Sequence, residues 1–536
     1  MRPIKAALIY LERRPVTDLT THRLIHLQAN CTLLRQTLRG IEKEGLRIDP
    51  LGRLARTPHS SELGSALTHS RITTDYSEAL LELITDTHTD APSLVNELSD
   101  IHRYVYSVLG EELIWTHSMP AALPAETDIP IAWYGRSNLG MLKHVYRRGL
   151  AERYGKTMQC IAGIHYNFSL PDELWELLDG GAGTTQDQRS RGYIALIRNF
   201  MRYAWLIIYL FGATPALSRC FMGGRPHTLH TLDGDTFYLP DATSLRMSDL
   251  GYQNPVQSQL KLCYNDLDTF LKRLYEAVTQ PWPPYEAIGT HRNGEWIQLN
   301  THMLQIENEY YSSIRPKRTP DRDERPITAL AKRGVQYVEV RCLDIDPYAP
   351  VGITEQTCCF MDAFLLFCAA MESPPFAENG HCPTSATNFS VVVMEGRKPG
   401  LQLNCNGKAV SLRQWGRELL DQIAPYAALF DNALGGDAYT KALAAQNLKL
   451  DDPELTPSAR LIKEMRTAQL SFHGHTLSLS RQHALTLRSQ PLTPDKVRAY
   501  ATLAHQSLDA QAQIERSDTM DFDTYLAHYH AALKGL

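Results

Sequence analysis

Arg39-Gly40-Ile41-Glu42-Lys43-Glu44-Gly45-Leu46-Arg47-Ile48 is the stretch on which the reading of the fold turns. Ile41 to Ile48 is short and reads more easily as a strand than as a helix. On a strand, residues two apart share a face, so Glu42 and Glu44 point the same way, together with Leu46 and Ile48. That face is therefore not plainly the solvent side. Two like charges on a half-buried face repel unless a cation lies between them. A lone pair of this kind reads as a solvated strand edge, because glutamate is seldom buried unpaired. Here, however, the pattern recurs along the chain.

Thr73-Thr74-Asp75-Tyr76-Ser77-Glu78 leads into the apolar run Ala79 to Ile84, whose one charge is Glu82. A single carboxylate inside such a run needs a partner. Val335 to Arg341 is rich in β-formers, with Val338, Val340 and Cys342 on one face and Glu339 and Arg341 on the other. Met303 to Tyr310 puts Gln305, Glu307 and Glu309 on one face in the same way. Gly163 to Leu170 alternates as a half-buried strand, Ile164, Tyr166 and Phe168 opposite His165, Asn167 and Ser169. His165 alone reads either as a hydrogen-bonded histidine or as an imidazole ligand. Several strands thus each offer inward acids with arginine or histidine beside them. Hard oxygen donors of this kind suit Mg²⁺ or Mn²⁺, ions that bridge nucleotide phosphates. The convergence points to a metal–nucleotide site on a sheet.

The remaining elements are helical. Leu24 to Arg39 reads as an amphipathic helix through Leu24, Leu27, Cys31, Leu34 and Leu38, stopped by Gly40. Asp90 to Glu112 reads as a helix capped by Asp90, Arg191 to Phe211 as a long apolar helix, and Ser411 to Leu434 as an amphipathic one. Thr301 to Tyr311 and Gly334 to Leu343 read as strands, separated by a charged loop from Arg315 to Pro326. Beyond about residue 450 the chain is mostly polar helix. No repeat and no Pro/Gly/Ser-rich linker divides it. The expectation is one large α+β catalytic domain over residues 1–536, with a core of about 24–400 and a helical elaboration of about 401–536.

Composition narrows the function. The chain has 536 residues, 43% hydrophobic and 21% charged, enough of each for a large packed core. Its net charge of −5 leaves no excess of cations to meet a nucleic-acid backbone. No uninterrupted apolar run reaches the ~18 residues of a membrane span. The Met1–Tyr10 stretch, with Arg2 and Lys5, is too short for a signal peptide, so the cytoplasm is the expected location. None of the ten cysteines forms a C-x-x-C pair, and they read as scattered reduced thiols. Gly149 to Thr157 looks like a phosphate-binding loop, but five residues instead of four separate its glycines. The glycine-rich dinucleotide, zinc-protease and serine-hydrolase motifs are missing too.

Taken in order, the stretches resemble the proteobacterial-type glutamate–cysteine ligase family. They are R-G-I-E-K-E-G-L-R from Arg39, E-L-G-S-A-L-T-H from Glu62, I-T-T-D-Y-S-E-A-L-L-E from Ile72 and Y-G-R-S-N-L-G from Tyr134. G-I-H-Y-N-F-S from Gly163, A-T-S-L-R-M-S-D-L-G-Y from Ala242, L-Q-I-E-N-E-Y-Y-S-S-I-R-P-K-R from Leu304 and Y-V-E-V-R-C-L-D-I-D-P from Tyr337 continue the series. The resemblance implies a glutamine-synthetase-like core, a curved and mostly antiparallel sheet forming a funnel with helices outside. It implies ATP-dependent ligation of the L-glutamate γ-carboxylate to the amine of L-cysteine through γ-glutamyl phosphate, the first step of glutathione biosynthesis. ATP, Mg²⁺ (or Mn²⁺) and the two amino acids are the ligands it brings, with no nucleic acid and no membrane.

By the same resemblance, Glu42, Glu44, Asp75, Glu82, His165 and Glu339 surround the metals. Arg341 lies near the transferred phosphoryl group. Arg246 pairs with glutamate, where a bidentate fork suits an α-carboxylate. Tyr146, Tyr252, Tyr311 and Tyr76 match the cysteine pocket, and Arg147, Arg315, Lys317 and Arg318 are phosphate contacts. Without the resemblance each tyrosine reads as packing and Arg246 as an ion-pair residue. Two other readings stay open: a related glutamate–amine ligase with a different acceptor, and a degenerate homologue that only binds, whose mark would be lost metal carboxylates. All the matched acids are present.

Overall fold

The structure is a computed structural model that describes residues 18–251, 256, 260, 262–321, 324–377, 380 and 382–533. Tyr252 and the Met1–Tyr10 stretch lie outside the described residues. The central sheet has seven strands: β1 (Leu38–Ile48), β2 (Ile72–Thr74), β3 (Leu80–Ile84), β4 (Leu113–Ile114), β5 (Ile164–Ser169), β6 (Ile314–Lys317) and β7 (Tyr337–Leu343). Their spatial order is β6-β7-β5-β1-β3-β2, with β4 paired to the far end of β1. Every pairing is antiparallel, as expected for this fold class.

Register decides which side chains meet. Glu42 stands opposite His165 on one side, and Glu44 stands opposite Glu82 on the other. Asn167 faces Glu339, which in turn faces Arg315. Residues opposite one another in an antiparallel pair lie on the same face. The polar residues of five strands therefore form one continuous row. The reverse face holds Ile41, Leu83, Tyr166, Phe168 and Val340, all buried. It packs on the helices Ala91–Val108 and Thr185–Phe211. Between Val340 and Leu343 β7 carries a bulge, since Val340 pairs with Tyr166 but Leu343 pairs with Ile164. The extra residue leaves Arg341 and Cys342 opposite His165 alone. Bulges of this kind re-aim side chains beside active sites.

Several local expectations change in the folded protein. The first helix runs over Asp18–Ala29 and gives way to a 3-10 turn at Cys31–Gln36, so Arg39 and Gly40 belong to β1. The reason is tertiary: Arg39 is fully buried, its Nε 2.9 Å from the equally buried Asp362. That contact requires the strand and outweighs the leucine spacing. Thr301 to Tyr311 is not a strand; it holds a 3-10 turn at Glu307–Glu309. Glu307 is bound by Arg325 at 2.8 Å and Glu309 by Arg153 at 3.0 Å, both pairs almost fully buried. The two acids hold loops together and are not on the sheet. The expected loop from Arg315 begins instead as β6, and Pro326 opens the helix Pro326–Arg333, where its missing N–H is tolerated. The strand around His165 buries Ile164, Tyr166 and Phe168 on one face and leaves Asn167 and Ser169 half-buried on the other, as its alternation predicts, but His165 itself is only 3% exposed.

The Thr185–Phe211 helix starts earlier than its apolar run, with a capping box between Thr184 and Asp187. By length and composition it could cross a bilayer, which a count of uninterrupted apolar residues overlooks, yet 78% of its apolar window is buried inside the protein. Asp90 and Ser411 cap their helices as expected, accepting from the N–H groups of Ser93 and Gln414. The C-terminal helices are bound to the core rather than appended to it. Asp362 accepts from Tyr166 at 2.8 Å and from Tyr439, on the helix Ala438–Asp451, at 2.9 Å. Of the last two helices, Pro494–Ser517 packs on the turn Ser61–Leu63 and Phe522–Ala531 packs on the helix Asn138–Tyr154, while the Asn138 amide donates to the Met520 carbonyl between them.

Candidate active site

Over the polar face of the sheet lies a cavity of about 720 Å³. Its floor carries Glu42 and Glu44 from β1, Glu82 from β3, His165 from β5, Arg315 and Lys317 from β6, and Glu339 and Arg341 from β7. Asp75, in the turn between β2 and β3, stands at the edge. One wall is the helix Asn138–Tyr154, whose Leu139, Leu142, Lys143, Tyr146 and Arg147 recur at helical spacing and so share a face. Ser137 caps this helix by accepting from the Gly140 N–H.

His165 sits at the centre. Its Nδ1 is 3.4 Å from Glu42 Oε2 and 3.7 Å from Glu339 Oε1, and its Nε2 is 3.6 Å from Glu44 Oε1. The Gly163 N–H donates to Glu44 at 2.7 Å, and the Asn167 amide donates to Glu42 at 2.9 Å. Arg341 Nη1 lies 3.2 Å from Glu339 Oε1, and Lys317 Nζ lies 3.6 Å from Glu339 Oε2. Glu42, Glu82 and His165 each present a ligand atom within 4.8 Å of the others.

The electrostatics divide this floor in two. On the β1–β3 side acids crowd without enough cations. Burial, reinforced by Glu42, Asp75 and Glu44, pushes the Glu82 carboxyl well up, and burial with Asp75 raises Glu44 as well. On the β6–β7 side cations dominate. Burial would raise Glu339 too, yet Lys317, Arg341 and His165 hold it well below the usual carboxylate range. Burial and the neighbouring Arg341 lower Arg315 to about 10, and burial with Arg147 lowers Lys143 to about 8. The first half lacks positive charge and the second lacks negative charge. An oxygen-rich set with one imidazole, in which like charges raise one another, fits a hard divalent cation such as Mg²⁺ or Mn²⁺. Crowded, desolvated guanidinium and ammonium groups fit a polyanion.

The other residues singled out from the sequence are placed as follows. Tyr146 lines the cavity. Arg147 lines it as well; its Nε donates to the Asp75 carbonyl, and its guanidinium lies 4.5 Å from the centre of the Tyr134 ring. Tyr76 is 1% exposed, and its buried hydroxyl has no hydrogen-bond partner among the described residues. Tyr311 lies outside the cavity lining and donates to Met247 Sδ at 3.1 Å. Arg246 is fully buried beside the bulge, donating to the carbonyls of Arg341 at 2.9 Å and Leu343 at 3.3 Å, with Asp344 at 3.6 Å. Arg318 turns away from the cavity to the Gly334 carbonyl, 2.5 Å distant. Tyr252 lies outside the described residues.

The sequence reading passed over Lys143 and Asn167. Asn167 shares the strand face of His165, so parity alone could have found it. It also passed over Met520, Tyr525 and Tyr529, which line the cavity from the far C-terminus and leave no signal in local spacing.

Comparison with known proteins gives a consistent picture. A family model described as glutamate–cysteine ligase matches residues 23–392. A glutamate–cysteine ligase of Bordetella bronchiseptica is 69% identical over 519 residues, covering 97% of this chain and 98% of its own. One from Pseudomonas putida is 56% identical over 521 residues, covering 97% of this chain and 99% of its own. Among solved structures, the glutamate–cysteine ligase of Francisella tularensis, in complex with AMP, matches with a TM-score of 0.87 at 36% identity over 93% of this chain and 98% of that one. A bifunctional glutathione synthetase of Pasteurella multocida shares the fold, with a TM-score of 0.70 at 24% identity over 96% of this chain and 58% of that one.

Proposed function

The chain belongs to the glutamate–cysteine ligase family, and from that premise we propose how its funnel performs the reaction. The protein is an ATP-dependent ligase that joins the γ-carboxylate of L-glutamate to the amine of L-cysteine, the first step of glutathione biosynthesis. A γ-carboxylate oxygen attacks the terminal phosphorus of ATP, and ADP leaves with the electron pair of the broken P–O bond. The cysteine amine then attacks the acyl carbon of γ-glutamyl phosphate, phosphate departs and the nitrogen loses a proton. The nucleophile of the first step is a substrate carboxylate, so the protein need supply none. Its own task is to neutralise charge and to position the reactants.

In our reading Arg341, aimed by the β7 bulge and held by Glu339, meets the charge on the phosphoryl group in flight. Lys317, Arg315 and Arg147 take the remaining phosphate charge, and desolvation makes each of these contacts stronger than it is in water. Glu42, Glu44, Asp75, Glu82, His165 and Glu339 are the groups that would hold Mg²⁺ or Mn²⁺. Such an ion supplies electrophilic polarisation of phosphate oxygens. Asn167 orients Glu42. Tyr146, which lines the cavity, borders the cysteine side; Arg246, Tyr311 and Tyr76 lie outside the cavity lining, and the family resemblance alone assigns Arg246 to the α-carboxylate of glutamate and the two tyrosines to the cysteine pocket. Residues 401–533 belong to the same catalytic unit, because Met520, Tyr525 and Tyr529 line the same cavity as Glu42. We take the cytoplasm as its compartment, since ATP and reduced cysteine are both available there.

The observation that carries this reading is the single face that sets an acid-and-histidine cluster beside a desolvated cation cluster. The test is phosphate release with ATP, Mg²⁺ and glutamate across a panel of amines. Sulfur–aromatic contact contributes about 0.3–1.5 kcal/mol, and one methylene in an apolar pocket discriminates by about 10–200-fold. Cysteine is therefore expected first, 2-aminobutyrate second and serine well behind. Preference for a larger or non-thiol amine would favour a ligase with another acceptor, and no ATP-dependent phosphate release would refute the reading.

A further inference from the structure

The first helix, Asp18–Ala29, buries Thr20, Leu24 and Leu27, while His22 stays exposed and His26 half-buried. Residues four apart on a helix are neighbours on its surface, so the two rings meet. Their Nε2 atoms are 3.1 Å apart, and their ring centres are 4.2 Å apart. Among the described residues neither ring has another hydrogen-bond, ion-pair or ring partner. The backbone beneath them is held in place from the other elements. Arg23 donates from Nε to the Leu178 carbonyl at 2.7 Å and from Nη1 to the Ala370 and Met371 carbonyls, both at 3.3 Å. Thr20 Oγ1 accepts from the Glu372 N–H at 3.2 Å, and the Asn30 amide donates to the His26 carbonyl at 2.9 Å. A helix of 12 residues is marginal by itself, and these ties fix its pitch and with it the separation of the rings.

Two imidazole nitrogens meet at such a distance in one of two ways: they share a proton or they bind one ion. Nitrogens on adjacent positions of an ion, with bonds of ~2.0–2.1 Å, lie about 2.8 Å apart at a right angle and about 3.4 Å apart at the tetrahedral angle. The 3.1 Å between the two Nε2 atoms falls inside that interval, so the pair matches a chelate without any change of backbone. Among the described residues no carboxylate or thiol joins it as a third donor. Imidazole donors favour the later first-row ions, Ni²⁺, Cu²⁺ and Zn²⁺, over the hard Mg²⁺ and Mn²⁺ that suit the oxygen-rich floor of the cavity. Water fills the positions on the ion that the pair leaves open.

We propose that His22 and His26 form a metal site of their own, a two-nitrogen clamp for a divalent late first-row transition ion, separate from the catalytic floor. An ion bound across one turn ties residues 22 and 26 together and stabilises the helix that packs on Asp172–Asp179 and Glu355–Ala370. The clamp does not depend on the reaction assigned to the cavity.

The test uses the untagged full-length protein in excess MgCl₂, which occupies oxygen-rich sites, and titrates NiCl₂ by calorimetry. The wild type should show a Ni²⁺ site whose affinity falls about 10–100-fold in His22→Ala and in His26→Ala, since losing even a group hydrogen-bonded to a ligand costs that much. His505→Ala, at an exposed histidine on the helix Pro494–Ser517, should leave it unchanged. Ni²⁺ should slow hydrogen exchange at the amides of residues 22–30 in the wild type and in neither clamp variant. Paramagnetic resonance of bound Cu²⁺ should report two imidazole nitrogens in the wild type and one in each variant. Equal Ni²⁺ affinity in the wild type and both clamp variants would overturn the proposal, as would Ni²⁺ protection confined to residues outside the first helix. Neither histidine is buried and alanine favours a helix, so both variants should fold, with phosphate release from ATP at the wild-type rate as the check.

Discussion

Replacing Glu82 by glutamine should strengthen the protein and silence it. In register Glu82 stands opposite Glu44, and its ligand atom lies within 4.8 Å of that of Glu42. At an effective dielectric of ~20, two full charges at that distance repel by about 3.5 kcal/mol. Burial and the surrounding acids already favour the neutral form of Glu82, so much of this repulsion is relieved in the metal-free wild type. A net gain of about 1 kcal/mol is therefore expected, a rise of roughly 1 °C in the unfolding midpoint for a chain of this size. With Mg²⁺ the order should reverse. An ion bound only by the folded state at a hundred times its dissociation constant adds about 2.7 kcal/mol. The wild type should show this rise, and Glu82→Gln should lose most of it together with about 10²–10³ of the ligation rate, the scale of one lost electrostatic group in a desolvated site. Thermal unfolding with and without MgCl₂, beside phosphate release, measures both. If the variant were less stable without Mg²⁺, or if Mg²⁺ stabilised both proteins equally, Glu82 would be part of a structural ion-pair network and the metal reasoning would be refuted.

Gly163→Ala would place a Cβ 2.1 Å from Arg246 Nη2 and displace that guanidinium. A misplacement of about 1 Å can cost about 10²-fold, so KM for glutamate should rise steeply while KM for ATP stays; equal losses would assign Arg246 to the phosphates or to bracing the bulge alone. Asp362→Ala leaves Arg39 buried without a counter-charge and should cost about 3–5 kcal/mol in urea unfolding, most of it regained in Arg39→Met/Asp362→Leu; no recovery in the double variant would contradict the account of this pair. Acid should also destabilise the fold. Burial, with Lys43 nearby, lowers His102 to about 3, and burial lowers His117 to about 3. Below about pH 6.5 the unfolded histidines take up protons that the folded ones refuse, so stability falls as pH falls from about 6.5 towards 3, by about 1.4 kcal/mol per pH unit for each residue. The urea midpoint should follow that slope, and His102→Leu should reduce it by one proton; a flat profile between pH 6 and 5 would count against both burials.

Period-two alternation was enough to put Glu42 beside Glu44 and His165 beside Asn167, because side-chain direction on a strand follows from parity alone. The same rule misled at Glu307 and Glu309. They alternate as well, but Arg325 and Arg153 pull them into a turn, and a partner so distant in sequence is invisible to local spacing. The leucine spacing from Leu24 to Leu38 likewise suggested a helix through Arg39, until burial against Asp362 drew that arginine into the sheet. The ordered motifs identified the family, which the comparisons bear out over residues 23–392.

What the sequence determined by itself was chemistry and local direction: an acidic net charge, carboxylates that share a strand face, strands where parity repeats, and caps at Asp90 and Ser411. What only the tertiary structure decided was adjacency. Strand order brought Glu82, Glu42, His165 and Glu339 side by side, a bulge set Arg341 opposite His165, and the far C-terminal end of the chain added Met520, Tyr525 and Tyr529 to the cavity lining. The physical reason is that an α-helix or a β-strand fixes side-chain positions over a few residues, whereas register, crossovers and long-range burial join segments hundreds of residues apart. Their energy comes from contacts that form only when the whole chain is folded.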